Sequence, residues 1–187
     1  MKITALFFGV FAGCLSCIPA HAADYLWNGG NGSWTDSGAW RLDDSSADWS
    51  NGNTAQFQTD SSITVGSGIS ASEMLYNGAA ITLNGGSLTL TGAAAGNNGG
   101  SATLSNTGLI LDAPNAEDSY EVRDTSLTGS ATLAKTGAGT VTLDGAHTAS
   151  GVWNINAGTL VFTGERNITA SDNNRINGCL LYTSPSP

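Results

Sequence analysis

Cysteine, basic side chains and proline are all scarce in this chain of 187 residues. Cys14, Cys17 and Cys179 sit near the two ends, too few and too badly placed for a disulfide framework. Six Lys and Arg stand against fifteen Asp and Glu, a net charge of −9. Phosphate neutralisation needs clustered cations, so a nucleic-acid partner is excluded. Charged residues are 11% of the chain, well below the roughly 25% of an average soluble protein. Helical periodicity is missing almost throughout, and the one short stretch that approaches it, 113–120, contains Pro114. Present instead are 25 glycines and a 40% hydrophobic share, much of it Ala. That share excludes full disorder, but it predicts a thin core or one built from repeated short strands.

Both ends are expected to lie outside the fold. Lys2, the mostly apolar run 3–18 and Ala20-His21-Ala22 make a secretory signal, with cleavage after Ala22. The run is short for a membrane span of about 20 residues. A lipoprotein reading through Phe11-Ala12-Gly13-Cys14 has Phe where that pattern usually has Leu. At the other end, 179–187 changes composition and resembles a translated sequencing adaptor, so it is set aside as a scar. The remaining 23–178 contain no cysteine. Such a chain relies on packing and hydrogen bonds alone, and it suits passage through a narrow pore in the unfolded state.

Short apolar-Thr-apolar triplets recur from Ile81-Thr82-Leu83 to Val141-Thr142-Leu143, each followed by Gly, Asn or Asp. This is the period of a half-buried strand followed by a turn. Leu90, Leu111, Leu133 and Ile155 are spaced by 21 to 22 residues. A repeat of that length, with two or three strands in each unit, predicts a solenoid of about five rungs over 61–178, with these four side chains stacked in one core ladder. An antiparallel sandwich is the competing architecture. Residues 120–122 break the repeat and read as a loop excursion.

The segment Leu133-Ala134-Lys135-Thr136-Gly137-Ala138-Gly139-Thr140-Val141-Thr142-Leu143, continued through Gly158-Thr159-Leu160, resembles the autotransporter-associated β-strand repeat. It departs from that pattern at His147, Ala149 and Val152-Trp153, and the close match covers 133–160. The Trp27-Asn28-Gly29, Gly32-Ser33-Trp34 and Trp40 pattern also resembles the start of such chains. The resemblance implies an all-β, right-handed parallel β-helix (solenoid), the passenger of a secreted bacterial surface protein. It implies a longer parent that reaches the outer membrane through a C-terminal barrel or sorting tag. An uncapped fragment is expected to self-associate through its open edge.

Residues 23–60 hold Trp27, Trp34, Trp40 and Trp49, and two roles compete for them. They form an N-terminal Trp-rich cap that covers the first rung, or they stack on glycan rings. Gly29-Gly30-Asn31-Gly32-Ser33 begins like a calcium nonapeptide but has Trp34 where the ligand Asp belongs. Asp44, Asp48 and Asn51 offer oxygen ligands to Ca²⁺ without the spacing of a known loop. Glu117, Asp118, Glu121, Arg123 and Asp124 fall in the expected excursion and read as a solvated loop or a binding protrusion. His147 and Lys135 belong to the repeat, and no catalytic constellation or cofactor motif emerges. The expectation is a structural or adhesive surface segment whose partner is a host or matrix glycan or protein. A glycan-binding or polysaccharide-degrading solenoid is the alternative.

Overall fold

The computed structural model describes residues 22–163 and the backbone of 179–182. The signal segment expected before Ala22 lies outside the described residues. The chain opens with β1 (Asp24–Trp27), β2 (Gly32–Ser33), a hairpin of β3 (Trp40–Leu42) and β4 (Ser45–Ala47), and β5 (Asn53–Phe57). Coils then follow. The first is β6 (Ser61–Thr64) and the long β7 (Ile69–Asn77), the second β8 (Ala80–Asn84), β9 (Ser87–Leu90) and β10 (Ala94–Asn97). The third is β11 (Ser101–Ser105), β12 (Gly108–Asp112) and β13 (Ser119–Val122). The fourth is β14 (Thr125–Thr128), β15 (Thr132–Thr136) and β16 (Thr140–Leu143). The fifth carries a bridge from Leu127 to His147, then β17 (Trp153–Ile155) and β18 (Thr159–Phe162). Among the described residues there is no helix.

The first four coils contribute a strand, or half of β7, to each of three faces, the fifth meets face A only through the His147 bridge, and pairing between coils is parallel. Face A is β2, β6, β8, β11 and β14. Face B is the first half of β7, then β9, β12, β15 and β17. Face C runs from β1 and β5 through the second half of β7 to β10, β13, β16 and β18. Antiparallel pairing is confined to the cap, where β3 joins β1 and β4. A parallel β-solenoid of about five turns is therefore the fold, and the sandwich is excluded.

Alternation does the sorting. Within the triplets Leu88 and Leu90, or Leu109 and Leu111, point inward, while Thr89 and Ile110 point outward. On face A the buried column is Ile63, Leu83, Leu104 and Leu127. Each buried Leu contributes about 1.5–3 kcal/mol relative to exposure. Tyr76 is fully buried, and its hydroxyl meets Thr125 Oγ1 of face A at 3.3 Å.

Two expectations are corrected. First, Leu133 does not stack on Leu111. Its partners are Leu109 and Trp153, and the column is Leu90, Leu111, Lys135 and Ile155. The register step is 24 residues between Leu109 and Leu133, against 21 between Leu88 and Leu109, because the loop after β12 lengthens that coil. Second, 120–122 are not an excursion: they lie in β13, paired with β10 and β16. Only the segment between β12 and β13 departs from the coil. The backbone of Cys179–Tyr182 forms β19, parallel to β18, as a β-prone segment does at an open sheet edge.

Candidate interaction surface

The four tryptophans of the cap are spent on one another. Trp34 and Trp40 are fully buried, Trp27 is buried and Trp49 is half-buried. Ring centroids lie 4.9 Å apart for Trp34–Trp40, 5.1 Å for Trp27–Trp40 and 4.7 Å for Trp40–Trp49. Phe57 continues the stack at 5.8 Å from Trp34 and 5.6 Å from Trp40. Trp40 Nε1 donates to the Trp34 carbonyl (2.8 Å) and Trp49 Nε1 to Asn51 Oδ1 (2.9 Å). Stacking on a sugar needs an open indole face, and Trp27, Trp34 and Trp40 are buried against their neighbours, leaving only Trp49 half-buried. The cluster seals the first coil, as a solenoid end requires.

The three oxygen donors considered for calcium are bound to different partners. Asp44 pairs with Arg41 (3.0 Å), and Asp48 accepts from Ser37 Oγ (3.0 Å) and the Gly38 amide (2.9 Å). Asn51 Oδ1 also accepts from the Ser70 amide (3.0 Å). Among the described residues no three His, Cys, Asp or Glu side chains form a metal-binding group.

The charged residues placed in the excursion are split between two elements. Asp118 holds the loop by accepting from the Asn115 amide (2.8 Å), Glu121 faces outward on β13, and Arg123 lies 3.5 Å from Glu121. That exposed pair contributes little. Tyr120 braces the loop from within: its single hydroxyl proton is shared between the Leu90 carbonyl (2.9 Å) and the Asp112 carbonyl (3.2 Å). Burial raises its pKa above the ordinary tyrosine value.

His147 and Lys135 both point into the core. His147 is buried, 5.8 Å from Trp153 and 6.1 Å from Phe162, which themselves stack at 5.5 Å. Two of the positions that depart from the repeat pattern, His147 and Trp153, thus join Phe162 in an aromatic layer in the fifth coil. Lys135 fills a ladder place between Leu111 and Ile155, and its Nζ donates to the carbonyls of Thr136 and Gly137. Burial lowers its pKa, and the Asp112 carboxylate opposes that shift.

Face A presents a surface that no single motif announces. One outward row is Ser62, Thr82, Thr103 and Ser126, and the next is Ser33, Thr64, Asn84, Ser105 and Thr128. Neighbours in a row are separated by the interstrand spacing of about 4.8 Å. Neither row contains an ionised group, although the chain as a whole is strongly acidic. The outward rows of the other faces are broken by Ile110 and Ala134 on face B and by Glu73 and Glu121 on face C. Asn106 braces the margin of face A, its Oδ1 accepting from the Ser130 amide and hydroxyl, both at 2.9 Å. Each triplet's outward Thr was legible in the sequence, but their assembly into one neutral face required the register.

A search of curated proteins and a search of solved structures each returned no match. A family description, the passenger-associated-transport repeat, matches residues 133–162. That stretch runs from β15 to the end of β18, so it spans one full circuit of the coil and the strand that closes onto it. The chain thus carries an autotransporter-passenger repeat, built into the fourth and fifth coils of its solenoid.

Proposed function

We propose that the chain is a rigid passenger segment displayed on a bacterial surface, exported by a signal cleaved after Ala22, and that face A makes its adhesive contacts. The reading rests above all on the unbroken stacking of coils from the tryptophan cap to β18, the geometry of a stalk. A neutral partner, a host or matrix glycan or a glycoprotein, suits rows of hydroxyl and amide groups free of charge. Binding a charged partner would favour clustered opposite charge, which face A lacks. The substitutions Thr82→Glu and Thr103→Glu place two carboxylates in the middle of one row. Binding to an immobilised panel of neutral glycans and matrix proteins is expected to fall at least about tenfold, equivalent to 1.4 kcal/mol, with the far-ultraviolet spectrum unchanged. Binding that survives both substitutions removes face A from the account, and hydrolysis of a polysaccharide in the panel moves the function to the enzymatic alternative.

A further inference from the structure

The apolar ladder does not by itself explain how β15 is positioned on β12. A slip of two residues keeps every side chain on its own side of the sheet, because the strand period is two. Slipped in that way, Leu133 sits on Leu111 and Ala131 on Leu109, and Lys135 leaves the column for the corner at Ala113. Leu90, Leu111 and Leu133 then make an apolar column across the three coils, with Lys135 moved to the end of β12. The observed register does the opposite, placing Lys135 on Leu111. Its polar contacts lie at one corner. Thr136 Oγ1 donates to Asp112 Oδ1 of the coil beneath at 2.8 Å. Asp112 also attracts the Lys135 ammonium, whose hydrogens go to the Thr136 and Gly137 carbonyls. Gly137, at φ 72°, fits so closely over that coil that a Cβ would lie 2.1 Å from the Ala113 carbonyl oxygen.

We propose that Asp112, Lys135, Thr136 and Gly137 form a polar latch that sets the stagger of the repeat-bearing coil, overriding a competing register that the apolar pattern favours. Buried polar groups that cost stability but fix register are the best-attested use of such groups. The latch acts between β12 and β15; the inward pairs of β7 with β9 and of β9 with β12 are apolar on both sides, and on its other side Lys135 meets Ile155 of β17.

Cysteine pairs report the register directly. Ile110 faces Ala134 in the observed register and would face Thr132 after the slip. In a background with Cys14, Cys17 and Cys179 changed to Ser, Ile110→Cys with Ala134→Cys tests the first, and Ile110→Cys with Thr132→Cys the second. The unmodified latch is expected to cross-link only at 110–134. Asp112→Ala with Thr136→Val is expected to raise the 110–132 cross-link at least several-fold, while Asp112→Asn with Thr136 intact holds the observed register. Adding Lys135→Leu to the double variant supplies the missing apolar contact and is expected to restore 110–134 alone. If the double variant does not fold, the same rescue decides: a folded triple variant cross-linked at 110–134 upholds the latch, and an unfolded one overturns it. A folded double variant that still cross-links only at 110–134 also overturns it.

Discussion

Lys135 is the residue at which sequence and structure part most sharply. Its place in a Lys-Thr-Gly run marks it as part of a repeat, and a charged side chain ordinarily belongs outside. Spacing by 21 to 22 residues selects Leu133 for the column instead, because the pattern cannot distinguish registers that differ by two. The close fit of Gly137 over Ala113 is equally invisible, although a turn glycine at φ 72° is what a Thr-Gly-Ala-Gly sequence leads one to expect. The buried ammonium has a consequence for stability. The folded state holds the Lys135 proton less tightly than the unfolded chain, so its penalty is full at pH below the shifted value and is relieved as pH rises toward the ordinary lysine value. Lys135→Leu is therefore expected to be more stable than the parent at neutral pH, and its advantage to shrink as pH rises through that window. Urea unfolding of both proteins at a series of pH values checks this. An advantage that is absent, or that grows with pH, contradicts the burial assigned here.

Strands and turns were the most legible elements. Apolar-Thr-apolar triplets followed by Gly or Asn became strands at β8, β9, β11 and β16. β13 was missed because Ser119-Tyr120-Glu121-Val122 puts a charge and an aromatic where the triplets have Thr and Leu; pairing with β10 and β16 on both sides overrides that local signal. For the cap, composition gave both a plug and a sugar platform, and only the centroid distances separate them. The cap makes an argument about hydrogen bonds testable. Trp40 Nε1 has the Trp34 carbonyl as its partner, whereas Trp34 Nε1 is buried with no partner among the described residues. Trp40→Phe leaves a buried carbonyl unsatisfied, and Trp34→Phe removes an unsatisfied donor. The first is expected to cost about 1–3 kcal/mol more than the second, the penalty of an orphaned buried polar group, read from thermal or urea unfolding. Equal losses contradict the bonding assigned to the pair.

At the scale of the whole molecule, the coil is a one-dimensional stack in which each turn touches mainly the turns above and below. Aromatics gather near both ends of the described stack, in the tryptophan cap and in the His147, Trp153 and Phe162 layer, while aliphatic ladders fill the middle. Period and parity made the winding legible from sequence. The neutral face was not, because no local motif encodes a surface that exists only when β2 and the first four coils are in register. Everything proposed for that face, and for the latch, depends on neighbouring coils running parallel at the stated stagger. The most direct measurement is the set of cross-strand backbone nuclear Overhauser contacts in the labelled protein. Contacts linking Leu88 to Leu109 and Leu109 to Leu133, continued along each strand in the same direction, are the predicted result; contacts that run in opposite directions between consecutive strands, as hairpins give, would contradict the account.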